Sequence, residues 1–316
     1  MRNVTLKQLR MFAGVVRTGS VTGAAGLLHV SPPAVTLQMQ LLQAHAGLPL
    51  IERSPGGMSP TEAGREVLQT IERIEAVLAE CDAVLAALAG STRGTVSVGI
   101  ISTAKYFAPR ILAAFARRHP GIELSLIIGN RAEIIAGLSH FRADIAIMGR
   151  PPKELDVVAT PIGDHPHFII APPDHPLAAL RHIDPKALAA ETLLVREPGS
   201  GTLGLMERFF AEHGVTPRIG MQISSNETIK QAVMAGLGIA FISGHTVEAE
   251  IADGRLVTLD INGLPIIRQW NVVHLRDRRL MPAVQIVERF LSEQAGAHLP
   301  GARPSAVGPT GALKRT

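Results

Sequence analysis

The chain holds a single cysteine, Cys81, in 316 residues. A disulfide framework and a cysteine-rich zinc site are therefore excluded. Aromatic residues make up only 3%, too few for the stacking platform of a single-strand nucleic-acid binder. No run of about 18 apolar residues occurs, so the sequence offers no membrane-spanning helix. The opening MRNVTLKQLR scatters charges where a secretory signal would keep an unbroken apolar segment. A soluble, cytoplasmic protein is expected. Catalytic signatures are also missing. The twelve histidines show no HExxH spacing, and there is no GxSxG elbow and no full Walker or Rossmann spacing. No enzyme, no metal site and no cofactor is expected. His165 and His167, in a loop-rich stretch, read as surface or hinge residues.

What is present suits a packed protein of about two domains: 46% apolar and 18% charged residues. Charge is unevenly placed. Residues 1–60 hold Arg2, Lys7, Arg10, Arg17 and Arg53 against Glu52, a net +4. The tail 297–316 holds Arg303, Lys314 and Arg315 with no acid, a net +3, which leaves the other 236 residues at −3. A basic amino-terminal unit on a slightly acidic body is the layout of a nucleic-acid-binding head on a regulatory or catalytic domain.

Within the head, Leu6, Leu9, Met11, Phe12, Val15 and Val16 recur at helical spacing, and Gly19 ends the helix. Ser20 can cap a second short helix, Val21–Leu28, whose small Ala24 and Ala25 permit a close crossing. Ser31 opens a third, with Pro32 and Pro33 in its first turn, where no N–H is needed. Two short helices joined by a tight link predict a helix-turn-helix, with Pro32, Pro33, Thr36, Leu37 and Gln40 facing the major groove of double-stranded promoter DNA. Leu50–Arg53 and Met58-Ser59, around the turn Ser54–Gly57, predict a β-ribbon wing with Arg53 as a phosphate or minor-groove contact. From Thr61 on, Val67, Ile71, Ile74, Leu78, Cys81, Leu85 and Leu88 alternate spacings of four and three. That a/d seam predicts a two-stranded coiled coil, hence a homodimer or homotetramer. Val77 and Val84 widen the stripe toward the head.

These stretches carry a family resemblance. Leu6–Phe12, Gly19–Ala25, Ser31–Thr36, Leu50–Arg53 and Thr61–Gly64, in that order and spacing, resemble the LysR-type transcriptional regulators. Ser102–Pro109, Ala146–Pro152, Val195–Thr202 and Ser225–Ala232 are similar to the CbbR type, regulators of carbon-dioxide-fixation operons. The resemblance implies a winged helix-turn-helix head (1–60), a linker and dimerisation helix (61–90) and an effector-binding domain (91–296); the tail 297–316, rich in Gly, Pro and Ala, is expected to be disordered. The head and linker are all-α apart from the wing. The effector-binding domain is expected as two hinged α/β subdomains, periplasmic-binding-protein-like, with the chain crossing between them twice. The CbbR type further implies an activator responding to a sugar phosphate or to NADPH. Pro32 stands where family members often have glutamine, and Gly56-Gly57 where the wing often has arginine, so the operator sequence does not carry over.

The body itself reads as alternating elements. Strands are expected at Thr95–Ile101, Ile122–Ile128 and Ala143–Met148, around helices at Lys105–His119 and Arg131–Ser139. A second unit starts near Phe168, with helices at 203–213 and 227–236 and a strand at Gly238–Ile242. Strand Arg268–His274 and helix Pro282–Gln294 close the chain. This order implies parallel pairing with helices on both faces. Ligands of such sheets sit beyond the strand carboxyl ends, where helix N-termini point. Candidate effector contacts are therefore Ser102, Thr103, Ala104 and Lys105; Met148, Gly149 and Arg150; Gly199, Ser200, Gly201 and Thr202; and Asn226, with His245 as a lining residue. Their hydroxyls, free N–H groups and cations favour an anionic small molecule. Two alternatives stand beside this reading: a solute-binding or enzymatic α/β protein with an incidental helical head, and a LysR-type regulator of another pathway.

Overall fold

A computed structural model describes residues 3–88 and 94–300. The chain divides into two compact units at Leu85/Ala86. In the first, helix α1 (Leu6–Thr18) opens on a capping box. Gln8 N donates to Thr5 Oγ1 at 3.3 Å, and Thr5 N donates to Gln8 Oε1 at 2.9 Å. Gly19 ends it in the left-handed region at φ 68°. Ser20 caps α2 (Val21–Leu28) by accepting from Gly23 N at 3.0 Å. Helix α3 (Pro32–Ala46) carries its two prolines at the start, and Ser31 makes no side-chain cap. Leu9, Phe12, Val15, Ala24, Ala25, Val35, Met39 and Leu42 form one buried cluster among the three helices.

The wing is an antiparallel pair, β1 (Ile51–Ser54) and β2 (Gly57–Pro60), with Arg53 opposite Met58. Met58 N donates to the Gly19 carbonyl at 2.8 Å, which ties the ribbon to the end of α1. Gly57 has φ 113°, and a Cβ there would lie 2.6 Å from the Gly19 oxygen. This glycine is thus required by the close approach, whatever its effect on DNA contacts.

Helix α4 spans Glu62–Leu88. Its apolar stripe is not the uniform intermolecular seam expected. Ile71 is 3% exposed and sits in the head cluster, with Val67, Leu68 and Ile74 packed against it. Leu78, Cys81 and Leu85 are exposed, and Val77 is solvent-facing instead of widening the stripe toward the head. The side chain of Leu88 lies outside the described residues. The first half of the stripe completes the chain's own core, because a/d spacing specifies an apolar partner but not which chain supplies it. Arg10 on α1 clasps Glu75 on α4 through Nε at 2.7 Å and Nη2 at 3.0 Å.

The second unit begins with β3 (Gly94–Ile101), followed by α5 (Ala108–Arg118), β4 (Ile122–Gly129), α6 (Arg131–Ser139) and β5 (Ile145–Met148). Next come β6 (Val157–Ala171), β7 (Thr192–Arg196), α7 (Gly201–Glu212), β8 (Arg218–Ile223), α8 (Asn226–Met234) and β9 (Ile239–Ser243). The last elements are α9 (Glu248–Ala252), β10 (Val257–Thr258), β11 (Ile266–Leu275) and α10 (Pro282–Gln294). One mixed sheet runs β4-β3-β5-β11-β6-β9-β7-β8, with β10 beside β6.

Each half keeps the expected parallel pairs, β3 with β4 and β5, and β7 with β8 and β9. Between them, outside the two units for which parallel pairing was expected, the pairing is antiparallel. The long strands β6 and β11 pair antiparallel and are the two crossings, with a register shift at Trp270/Asn271. Prolines 161 and 166 and Asp164 mask β6 in the sequence. The helix expected at Lys105–His119 is also divided. Ala104–Tyr106 forms a 3-10 turn, and α5 starts at Ala108 with Pro109 in its first turn. Proline lacks the N–H that a helix interior needs and fits a first turn, so the α-helix restarts there.

Two cores result. Val98, Ile100, Phe107, Ile111, Phe115, Trp270 and Val287 fill the first half. Leu193, Phe209, Phe210, Ile239 and Phe241 fill the second. The stretch assigned to a disordered tail starts too early. Ala295–His298 form a 3-10 turn and Leu299 packs on the first core; residues 301–316 lie outside the described residues.

Candidate functional site

On the head, Pro32, Pro33, Thr36, Leu37 and Gln40 are all exposed along one face of α3, and Leu37 is 53% exposed despite its size. Thr36 Oγ1 donates to the Pro32 carbonyl at 3.1 Å, so its proton serves the helix and its lone pairs face outward. Arg53 is exposed on the wing.

In the second unit a cavity of about 310 Å³ opens where the two halves of the sheet meet. Its walls come from the carboxyl ends of β3, β5 and β7, from the crossing strands, and from the starts of α6 and α7. Of the residues expected from sequence, Ser102, Thr103, Met148, Gly149, Arg150, Gly199, Ser200, Gly201 and Thr202 line it. Ala104, Lys105, Asn226 and His245 do not. Ala104 is fully buried in the first core. The Lys105 ammonium lies 5.2 Å from the Tyr106 ring centroid. Asn226 is buried behind the wall and accepts from Arg196. His245 Nδ1 accepts from the Trp270 indole N–H at 2.9 Å.

The helix starts differ in what they leave free. At α6 the Asn130 side chain accepts from Glu133 N at 3.0 Å, while Glu133 returns to Asn130 N at 2.7 Å. At α8 the Ser225 hydroxyl accepts from Thr228 N at 3.3 Å. Both ends are satisfied internally. Ser200, before α7, makes no side-chain cap, so its hydroxyl and the first N–H groups of α7 are open to the cavity. The Thr103 hydroxyl is buried without a hydrogen-bond partner.

The cations exceed the expectation. Arg131, Arg150, Arg196, Arg208 and Arg268 line the cavity, against one carboxylate, Glu154. Arg196, 3% exposed at the end of β7, is held by both oxygens of Glu197, at 2.8 and 2.9 Å. It also donates to Asn226 Oδ1 and, at 3.2 Å, to Ser102 Oγ. Arg131 donates to the carbonyls of Arg150 and Pro151. Among the described residues, Arg150, Arg208 and Arg268 have no carboxylate at ion-pair distance. Burial and then repulsion from Arg208, Arg150 and Arg131 lower the Arg268 pKa; burial likewise lowers that of Arg131, with Arg150 and Arg208 adding to it.

His165 and His167 are buried, each 3% exposed, and line the cavity from the middle of β6. Of the expected surface or hinge position, the surface half is corrected: they are buried, and they lie on β6, one of the two strands that cross between the halves. Burial is the main cause that holds His165 well below the usual histidine range and His167 down to about 3. Sequence reasoning missed these two as lining residues, and also Arg131, Arg196, Arg208 and Arg268. Arg208 was within reach, since positions 201, 204 and 208 share one helix face. His165 and Arg268 were not, because they stand opposite each other only through the antiparallel register of β6 and β11.

No group of three or more histidine, cysteine or acidic side chains is placed to hold a metal among the described residues, and none of their helices is long and apolar enough to cross a membrane.

Comparison with known proteins places this architecture. Residues 6–65 match the bacterial regulatory helix-turn-helix protein model of the lysR family, and residues 89–296 match the LysR substrate binding domain. The HTH-type transcriptional regulator CbbR of Xanthobacter flavus is 55% identical over 298 residues, which cover 94% of this chain and 90% of that one. The RuBisCO operon transcriptional regulator of Allochromatium vinosum is 46% identical over 297 residues, covering 94% and 98%. Among solved structures, the CcmR regulatory domain of Synechocystis PCC6803 in complex with 2-PG is 38% identical. It covers 63% of this chain and 96% of that one, with a TM-score of 0.61. With its head, linker helix and two-part α/β domain all matched, the chain belongs to the LysR family of DNA-binding transcriptional regulators.

Proposed function

We propose that this regulator activates a carbon-fixation operon in response to a small phosphorylated metabolite bound in the cavity. The carrying observation is the wall of five arginines against one glutamate. Such an excess of guanidinium groups suits a ligand with more than one negative charge, held bidentately. Ser102, Thr103, Ser200, Thr202 and the open N–H groups of α7 supply neutral donors. The volume is at the lower end for small-molecule sites, which favours a metabolite of sugar-phosphate size over NADPH. Two relatives support the pathway and the ligand class: the Allochromatium regulator by its name and the CcmR domain by its bound 2-PG. In the head, Pro32, Pro33, Thr36, Leu37 and Gln40 meet base edges in the major groove, and Arg53 meets a phosphate. The exposed Leu78, Cys81 and Leu85 of α4 pair with a second copy.

The test is a thermal-shift titration of the full chain with 2-phosphoglycolate, a sugar bisphosphate and NADPH, followed by promoter footprinting with any ligand that binds. A saturable rise in melting temperature, by mass action, together with an altered footprint is the expected result. Binding of none of these would overturn the ligand class, and an unchanged footprint would overturn the regulatory role of the site.

A further inference from the structure

The cavity contains a buried imidazole whose surroundings are complete except at one atom. His165 Nε2 is hydrogen-bonded to Ser243 Oγ at 2.9 Å. Its ring lies flat on the Trp270 indole, with centroids 3.7 Å apart and planes inclined by 16°. Nδ1 is buried and has no hydrogen-bond partner. It is turned toward Gly149, at the end of β5, where a Cβ would come within 2.7 Å of it. Gly149 also lines the cavity, so the residue that covers Nδ1 places no side chain between it and the cavity. A buried polar atom without a partner is costly, and such an atom beside a cationic cavity points to an occupant that satisfies it.

We propose that His165 is a direct contact for the anionic effector, presenting Nδ1–H to it and taking up one proton from solvent as the anion binds. The proposal rests on reading this cavity as the effector site. An imidazolium needs two acceptors. Ser243 Oγ is already placed for Nε2–H, and an oxygen of the anion would serve Nδ1–H. The indole face beneath the ring favours a cation. Without the anion, the Arg268 cation opposes protonation of the ring, while His167 and His245, lowered by burial to about 3 and about 4, stay neutral beside it. His167 shares β6, Arg268 stands opposite on β11, and His245 follows β9. Arg150 adjoins Gly149, with Arg131 and Arg208 beyond it in the same cavity; the carboxylates nearby are Glu154, exposed among the lining residues, and Asp164 beside His165 in the chain. Burial adds to this and keeps the ring neutral. An anion among the arginines reverses the local field and raises the His165 pKa. Binding then tightens as pH falls through the pKa of the occupied site, and it becomes independent of pH above that value.

His167 is the rival for this role. Its Nδ1 is already engaged with the His165 carbonyl at 3.1 Å, and its ring is pushed down to about 3. Trp270 is the only tryptophan of the chain, and a protonated imidazole in contact with indole quenches its emission. Trp270 contacts His165 and His245, so its fluorescence separates His165 from His167, and the His165→Asn variant separates His165 from His245.

The experiment titrates the full chain with sodium sulfate, an anion that does not itself titrate between about pH 5 and about pH 8. Trp270 emission and calorimetry in buffers of different ionisation enthalpy are the readouts. The expected result is an affinity that rises toward low pH, with a slope approaching tenfold per pH unit, uptake of close to one proton, and quenching of Trp270 on binding. His165→Asn should flatten the profile to the wild-type high-pH affinity, while His167→Asn should keep the slope. If His165→Asn fails to fold, the wild-type slope and proton count decide. Sulfate binding with a flat profile and no proton uptake would overturn the role of His165 and leave the cavity reading intact. A slope lost in His167→Asn but kept in His165→Asn would overturn it in favour of His167. Absence of sulfate binding at any pH would overturn the anion-site reading, and this inference with it.

Discussion

Replacing Arg268 by glutamine should move stability and ligand binding in opposite directions. Arg268 is half-buried on β11, faces three other guanidinium groups, and has no carboxylate partner among the described residues. In the empty protein it contributes repulsion. Near a surface, individual charge pairs are worth about 0.2–1 kcal/mol. Relief of the combined repulsion, screened by water in an open cavity, should stabilise the empty body by roughly 0.5–1 kcal/mol. For a domain of about 150–250 residues that corresponds to a melting temperature raised by roughly 1–4 °C. With an anion present, the lost charge-assisted hydrogen bond costs about 1.5–3 kcal/mol, or roughly tenfold to a hundredfold in affinity. Scanning fluorimetry without ligand and a 2-phosphoglycolate titration read the two effects separately. A variant that melts lower and binds with unchanged affinity would refute the reasoning, because it would make Arg268 a structural residue instead of a ligand contact.

Further outcomes are expected. Thr103→Val, which removes a buried hydroxyl without a partner, should leave the empty protein as stable or more so while weakening 2-phosphoglycolate binding; melting and titration curves decide. Arg53→Ala should weaken DNA binding on specific and random sequences alike and reduce the salt slope by about one contact per protomer, as measured by fluorescence anisotropy over a salt series. Leu78→Asp and Leu85→Asp should dissociate the oligomer in light scattering without a lower head melting temperature. Ile74→Asp should instead destabilise the head, because Ile74 packs on its core. Gly57→Ala should cost about 1–3 kcal/mol through its positive φ and the Gly19 carbonyl, seen as earlier unfolding in urea.

The head was legible almost to the residue because its signals are local. Caps, prolines in a first turn, and small residues at a helix crossing act within a few positions of one another. The body was legible where a helix follows a strand and at the crossing strand β11, read as Arg268–His274, and opaque at the other crossing. Strand β6 hides behind Pro161, Asp164 and Pro166, so the histidines it carries looked exposed. Cap chemistry also misled. Asn226 and Ser225 begin a helix near the cavity, as read, but Ser225 satisfies its own helix end and Asn226 turns to Arg196. Sequence shows that a helix start can bind an anion; only geometry shows whether its donors are already taken. The stripe on α4 is ambiguous for a similar reason, since its periodicity is the same whether Ile71 meets Phe12 of its own head or a second copy.

Charge arithmetic led to the same partners by a route that the structure revises. The −3 outside the head and tail is not spread over the body. Helix α4 and its flanks, residues 61–90, hold Glu62, Glu66, Glu72, Glu75, Glu80 and Asp82 against Arg65 and Arg73, a net −4. Residues 91–296 are then +1, nearly neutral, yet five of their arginines line one cavity with a single carboxylate. A net charge near zero therefore hides a strongly positive site. Arg10, counted among the charges of a DNA-binding head, is likewise engaged with Glu75. Arg53 is exposed on the wing, so its substitution, and not a change in total charge, is the informative test of the proposed phosphate contact.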